Sequence, residues 1–153
     1  MIQHIDHIGI AVHSLQEAIP LFERIFGTKC QGTETVESQG VRTAFFQLGE
    51  ASIELLEPLN EGAGAVGTFL AKRGQGIHHL ALSSDDVAAD LARVGRDGAR
   101  LIDEVPRDGA GGKRVAFVHP KSAAGVLVEL CERRTPSDDS AEADSEICLK
   151  SER

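Results

Sequence analysis

Length, composition and charge describe an ordinary globular chain with an acidic balance. Its 153 residues are 41% hydrophobic and 26% charged, carry a formal net charge of −8 and include neither Tyr nor Trp. Nucleic-acid phosphates need a basic protein surface, and bases often stack on aromatic side chains, so this composition argues against a nucleic-acid partner. Three cysteines without a CxxC pair, no signal-peptide pattern and no bilayer-length apolar run predict a cytoplasmic protein without a membrane partner.

The first part of the chain predicts a strand, a helix and three more strands. Residues 2–12 alternate and are rich in Ile and Val, which is typical of a strand. Ser14 and Glu17 have capping-box spacing that begins a helix, and Gly27 ends it. Pro20 inside that helix predicts a kink or a late start. Strands are predicted over 29–36, 42–48 and 51–57, followed by a loop over 58–67.

The second part predicts the same order of elements. A short helix over 68–72 precedes a strand over 76–83, and Asp85 or Asp86 caps the next helix. Further strands are predicted near 100–102, 113–118 and 126–131. We therefore predict one domain over residues 1–133, with a first module at about 1–58, a linker at about 59–75 and a second module at about 76–133. Residues 134–153 are acidic and poor in apolar side chains, which predicts a disordered tail.

Three segments repeat along the chain in the same order. HIGIAV at 7–12 aligns with HLALSS at 79–84, and RTAFFQ at 42–47 aligns with RVAFVH at 114–119, both at an offset of 72. IELLE at 53–57 aligns with VELCE at 128–132, at an offset of 75. Such a repeat indicates two copies of one strand–helix–three-strand unit, related by a pseudo-twofold axis.

Strand parity places one His and one Glu of each unit on the same face of the sheet. His7 shares its face with small residues, as does His79 in the repeat, while Glu54 and Glu129 lie opposite the large aliphatic positions. A single strand His is more often a structural group, but the repeat favours a joint role. Two imidazoles and two carboxylates suit one divalent ion, Co²⁺, Mn²⁺, Zn²⁺, Ni²⁺ or Fe²⁺. His78 is expected to pack or bond outside this site.

These residues resemble a known superfamily over most of residues 1–133. DHIGIAV, GIHHLAL and GVLVELCE are similar to vicinal-oxygen-chelate (glyoxalase-like) proteins, and IELLEPL and GAGGKRVAFVHPKSAAGVLVEL resemble the methylmalonyl-CoA epimerases among them. The resemblance implies an α+β fold in which two paired βαβββ modules form a curved mixed sheet around a metal-binding cavity. It also implies a homodimer, an acyl-CoA thioester substrate and one divalent ion per chain at His7, Glu54, His79 and Glu129.

The implied reaction interconverts (R)- and (S)-methylmalonyl-CoA by removing the C2 proton and returning it to the opposite face. Glu129 is the candidate base on one side, and His119 is the candidate on the other, with Lys121 as an alternative or as an anion-binding group. His119 and Lys121 could equally be loop residues without chemistry. Some epimerases carry a Glu assigned as acid/base at the position of Thr43, so this chain departs from them there.

Two other functions remain open at this point. One is a glyoxalase-like isomerase or lyase, or a ring-cleaving dioxygenase, on the same scaffold. The other is a small-molecule binding protein without turnover. For the nucleotide of coenzyme A, four residues are candidate phosphate partners, although solvated surface charge is the simpler interpretation: Lys72, Arg73, Lys113 and Arg114.

Overall fold

The computed structural model describes residues 1–134, so the predicted acidic tail lies almost entirely outside the described residues. Eleven helices and strands of at least two residues follow one another in this part of the chain, together with three short 3-10 turns. They are β1 (Ile2–Ala11), α1 (Leu15–Phe26), β2 (Thr33–Val36), β3 (Val41–Leu48), β4 (Ala51–Pro58), α2 (Gly64–Arg73), β5 (Gly76–Ser84), α3 (Val87–Arg96), β6 (Arg107–Asp108), β7 (Lys113–Val118) and β8 (Val128–Arg133).

All eight strands form one mixed sheet in the order β2-β3-β4-β1-β5-β8-β7-β6. The first strands of the two predicted modules, β1 and β5, pair antiparallel at the centre. Each has the last strand of its own module on its other side, because β4 runs parallel to β1 and β8 runs parallel to β5. This symmetric order confirms the α+β fold with paired βαβββ modules.

Helices α1 and α3 cover one face of the sheet, and the polar repeat residues lie on the other. Leu15 of α1 packs with Phe46 and Leu55, while Leu91 of α3 packs with Leu130 in the equivalent cluster. Because strand side chains alternate between faces, the neighbours of Leu55 and Leu130 point away from these helices. Glu54 and Glu129 are therefore held on the face opposite α1 and α3.

The sheet curls until its two edge regions touch. Glu34 on edge strand β2 accepts a hydrogen bond of 2.8 Å from the backbone N–H of Gly111, just before β7. Ala110 packs against the cluster that contains Val36 and Val41 at the same edge. The curved sheet therefore wraps around the face that carries the histidines.

Several boundaries differ from the sequence predictions. Helix α1 begins at Leu15 and continues through Pro20, so the late start was wrong; the Ser14 hydroxyl accepts from the Glu17 N–H at 3.4 Å. Helix α2 begins at Gly64 rather than at 68, because Val66 and Leu70 bury an apolar side against the sheet and override the glycine-rich local sequence. Of the two capping candidates, Asp86 is the N-cap of α3.

The strand predicted near 100–102 is reduced to one bridge between Leu101 and Val118. The Asp103 carboxylate accepts the backbone N–H of Phe117 at 2.8 Å, which replaces a ladder hydrogen bond with a side-chain bond. The sixth strand is instead the two-residue β6. Strands β2 and β8 also begin later than predicted. No helix in residues 1–134 is long and apolar enough to cross a membrane.

Candidate metal centre

The two repeat histidines meet at the centre of the sheet. In the β1–β5 ladder Gly9 pairs with His79, and His7 pairs with Ala81, so each imidazole lies beside a small residue. The Nε2 atoms of His7 and His79 are 3.0 Å apart. Both side chains are buried. The small residues of this face therefore make room for the rings, as the parity argument predicted.

Glu129 completes a triangle of ligand atoms with the two histidines. Its Oε2 lies 3.1 Å from Nε2 of His79 and 3.7 Å from Nε2 of His7. Glu54 is also buried, but its Oε1 lies 3.5 Å from the other nitrogen of His7, Nδ1. The structure thus brings three of the four proposed ligands to one point and places the fourth beside them.

The spacing and chemistry of these atoms fit a transition-metal ion. Bonds of about 2.1 Å to nitrogen and oxygen ligands would separate neighbouring ligand atoms by about 3.0 Å in an octahedron and about 3.4 Å in a tetrahedron. The observed separations of 3.0, 3.1 and 3.7 Å lie close to these values. Imidazole and carboxylate ligands suit Zn²⁺, Co²⁺, Ni²⁺, Fe²⁺ and Mn²⁺.

Three carboxylates and one ammonium group surround the two histidines. Burial is the largest effect on Glu129 and raises its pKa, but contacts with His79, His7 and Lys113 together outweigh it and hold the pKa below its usual range. For Glu54 burial dominates, and its pKa is raised. Together with Asp6, these make three carboxylates against the single ammonium of Lys113, a formal balance of −2 when all ionise and the imidazoles are neutral. Burial lowers the pKa of His7, but the three carboxylates outweigh burial and raise it. A divalent cation would neutralise that balance.

Asp6 and Lys113 support His7 from the side of the site away from His79. The Asp6 carboxylate is 2.8 Å from Nδ1 of His7 and forms an ion pair with Lys113. Burial would raise the pKa of Asp6, but its bonds to His7 and Lys113 hold it far below its usual range. Both side chains of the ion pair are only 14% exposed. Lys113 is therefore a largely buried partner of Asp6 beside the candidate metal centre, not a solvated surface charge.

His78 plays a comparable part beside His79. Its ring packs edge-on against Phe69, with centroids 5.1 Å apart, as expected for a packing residue. Its Nδ1 also lies 3.0 Å from Nδ1 of His79. Burial and the neighbouring His79 lower the pKa of His78 to about 4. His78 therefore contacts a proposed ligand, which the sequence analysis did not anticipate.

Two adjoining cavities lead to this cluster. One of about 310 Å³ is lined by both His78 and His79, with Val41, Arg107 and Phe117 among its other walls. The other, of about 360 Å³, shares the two histidines and carries cationic side chains from the end of α2, Lys72 and Arg73. The Arg107 guanidinium lies 5.3 Å from the centre of the Phe117 ring. Both cavities therefore open on the His79 side and carry cationic side chains, of which Arg107 is ion-paired with Asp103 at 3.0 Å.

The two other predicted catalytic residues lie at the end of β7. The backbone N–H of His119 donates to the carbonyl of Arg100 at 2.9 Å, and its Nδ1 accepts from the Lys121 N–H at 3.1 Å. Partial desolvation and the charges of Arg100 and Lys121 lower the pKa of His119. Within residues 1–134, no hydrogen bond or ion pair joins His119 or Lys121 to the three-residue cluster.

Thr43 is fully buried on β3, on the same side of that strand as Val41. Its Oγ1 has no hydrogen-bond partner among the described residues. Such an unpaired buried hydroxyl is uncommon and costs stability. The position that departs from some epimerases is therefore a buried, unsatisfied polar group in this chain.

Comparisons with known proteins agree with this geometry. Residues 6–117 match the Glyoxalase/Bleomycin resistance protein/Dioxygenase superfamily. The mitochondrial methylmalonyl-CoA epimerase of Dictyostelium discoideum is 38% identical over 130 residues, which cover 84% of this chain and 78% of that protein. A variant of Streptomyces coelicolor methylmalonyl-CoA epimerase in complex with 2-nitronate-propionyl-CoA superimposes with a TM-score of 0.84, at 39% identity and 88% and 97% coverage. A methylmalonyl-CoA epimerase in complex with methylmalonyl-CoA and NH4+ gives the same four values.

Proposed function

The chain belongs to the glyoxalase/bleomycin resistance protein/dioxygenase superfamily, and on that premise we propose that it is a metal-dependent methylmalonyl-CoA epimerase. The observation that carries this proposal is the convergence of His7, His79 and Glu129 beside a cavity, in a chain 38% identical to an enzyme of that name. A structural neighbour was solved with methylmalonyl-CoA bound, which supports an acyl-CoA thioester as the substrate class.

One divalent ion per chain is held by His7, His79 and Glu129, with Glu54 as the fourth ligand. The short distances among three of these ligand atoms and the excess of carboxylates over ammonium groups around them support this assignment. A divalent cation bound there would polarise the thioester oxygen and stabilise the negative charge that develops when C2 loses its proton. Glu54, whose Oε1 lies 3.5 Å from Nδ1 of His7, would be the remaining ligand.

Glu129 is the proposed base on one face of the substrate. Contacts with His79, His7 and Lys113 favour its carboxylate form, because they hold its pKa below the usual range despite burial. In the proposed step the Glu129 carboxylate takes the C2 proton, and the C–H electron pair passes into the enolate. His119, or alternatively Lys121, returns a proton to the opposite face. Their place at the end of β7, the strand next to the Glu129 strand, supports this choice.

The cavities support recognition of an anionic substrate. Methylmalonyl-CoA carries a carboxylate and phosphates, while the chain as a whole has a net charge of −8. Local positive groups must therefore attract it. Arg107 on one cavity and Lys72 and Arg73 on the other are the proposed groups.

We further infer a cytoplasmic homodimer. Three cysteines without a CxxC pair support a reducing compartment. Leu21 and Ile25, one turn apart on α1, are 45% and 63% exposed and provide apolar surface for a partner subunit. Light scattering of the purified protein would measure twice the chain mass; a monomer at micromolar concentration would contradict the dimer.

The test of function is exchange of the C2 hydrogen of methylmalonyl-CoA with solvent deuterium, followed by mass spectrometry. We expect exchange that a chelator abolishes and that added metal restores. Glu129→Gln should lower the rate by about 10²-fold or more, the usual scale for loss of an acid/base group. Glu50→Gln, in an exposed turn, is the matched control.

His119→Ala examines the second face of the substrate. If His119 is the second base, one stereoisomer continues to exchange while interconversion of the two falls. Metal-loaded, folded protein without any exchange would contradict the epimerase proposal, and a glyoxalase or dioxygenase would give that result.

A further inference from the structure

We propose that His78 is a positioning residue of the metal centre: it accepts a hydrogen bond from Nδ1–H of His79 and thereby leaves Nε2 of His79 free to bind the ion. The proposal rests on the metal dependence in the proposed function. It adds a residue that touches neither the ion nor the reacting carbon but determines the tautomer of a ligand.

The internal repeat supports this role. Asp6 and His78 directly precede the two ligand histidines and are equivalent at the repeat offset of 72. Each bonds Nδ1 of the histidine that follows it, at 2.8 Å for Asp6 and 3.0 Å for His78. Two different side chains thus make the same contact at equivalent positions. What they share is the ability to accept a hydrogen bond from an imidazole N–H.

The direction of the His78–His79 bond follows from the other ring nitrogen of His79. Nε2 of His79 lies 3.0 Å from Nε2 of His7 and 3.1 Å from Oε2 of Glu129, inside the proposed ligand cluster. A neutral imidazole carries one N–H. A His79 ring that binds the ion through Nε2 therefore carries its hydrogen on Nδ1, and Nδ1 of His78, 3.0 Å away, accepts it.

Burial makes the His78–His79 hydrogen bond important for metal binding. His79 is 5% exposed, so water cannot replace a lost partner at its Nδ1. Without an acceptor there, His79 could hold its single hydrogen on Nε2, where it would compete with the ion. The same position also packs against Phe69, so the test must separate hydrogen bonding from packing.

Two substitutions make that separation. His78→Leu keeps an apolar side chain beside Phe69 but has no acceptor, whereas His78→Asn loses most of the packing but places an amide oxygen near the position of Nδ1. We expect His78→Leu to weaken Zn²⁺ binding by about 10- to 100-fold, the usual cost of losing such a partner. His78→Asn should stay within a few-fold of wild type, with His78→Gln as the substitute if Asn does not fold. His4→Leu, at an exposed position of β1, is the matched control.

Zn²⁺ affinity is measured by competition with a chromophoric chelator, and the tautomer by ¹⁵N–¹H spectra of the imidazoles in the Zn²⁺-loaded protein. Wild-type His79 should carry its hydrogen on Nδ1. The proposal is overturned if His78→Leu binds Zn²⁺ as wild type does, if Asn and Leu lose affinity equally, or if His79 lacks that hydrogen. Wild-type protein that binds Zn²⁺ without C2 exchange would instead overturn only the epimerase reaction, and failure to bind any divalent ion would overturn the metal dependence itself.

Discussion

A single methyl group at Gly9 should displace His79 and disrupt the metal centre. Gly9 lies on β1 directly opposite His79, and its backbone has an extended conformation that alanine can adopt. A Cβ added there would lie 2.2 Å from Cε1 of His79 and within 2.7 Å of both ring nitrogens. Gly9→Ala therefore acts by steric contact with a single proposed ligand, His79.

The size of the displacement can be worked out from these distances. Carbon atoms in contact are about 3.5 Å apart or more, so the ring must move by about 1.3 Å relative to the added methyl. Metal–ligand bonds tolerate deviations of only about 0.2 Å. His79 therefore leaves the position 3.0 Å from Nε2 of His7. We expect a loss of divalent-metal affinity of about 10²-fold or more and, from overpacking, a loss of unfolding free energy of about 1–3 kcal/mol.

Gly76→Ala is the matched control, because Gly76 also lies in the β1–β5 ladder and a Cβ there meets nothing within 4 Å. The Co²⁺ affinity of both variants is measured by titration monitored by absorption, and their unfolding free energy is measured with urea. Gly76→Ala should match wild type in both measurements. If Gly9→Ala binds Co²⁺ with wild-type affinity, the His79 ring does not occupy the place described and the reasoning is refuted.

Three further outcomes test other parts of the molecule. His79→Ala should weaken divalent-ion binding more than His78→Ala, since it removes a ligand rather than its partner; equal losses in a chelator competition would contradict the assignment. Thr43→Val removes the buried, unpaired Oγ1 at nearly constant side-chain shape. The unfolding free energy measured with urea should stay unchanged or rise by about 1 kcal/mol. A fall would show that Oγ1 makes a hydrogen bond in solution. Asp90 is buried, which raises its pKa, but a serine hydroxyl and Arg93 outweigh burial and lower it. The stabilisation of the fold by ionised Asp90 is therefore present above the unfolded pKa of about 3.9 and is lost as pH falls through the lower folded value. Asp90→Asn should lower the unfolding free energy by about 1–3 kcal/mol at pH 7 and by much less in acid. A loss that does not change with pH would be inconsistent with this account.

The repeat and the strand alternation were enough to predict the fold class and the faces of the sheet. Alternation with a period of two depends only on backbone geometry, so it placed His7, Glu54, His79 and Glu129 on one face without knowledge of the tertiary structure. Short elements were predicted less well. The helical start at Gly64 depends on apolar contacts with the sheet. Near 100–102, the Asp103 carboxylate accepts a hydrogen bond from the Phe117 N–H. Local sequence encodes neither of these contacts.

Tertiary structure decided which polar groups share the site. The sequence by itself determined two modules, their ligand types and the offset that makes Asp6 equivalent to His78. Only the antiparallel pairing of β1 with β5 brings the two Nε2 atoms to 3.0 Å, and only the curl of the sheet brings Lys113 to Asp6. These residues are 72 and 107 positions apart in the chain, so their contacts depend on how distant strands pair and bend, which no local pattern of residues specifies.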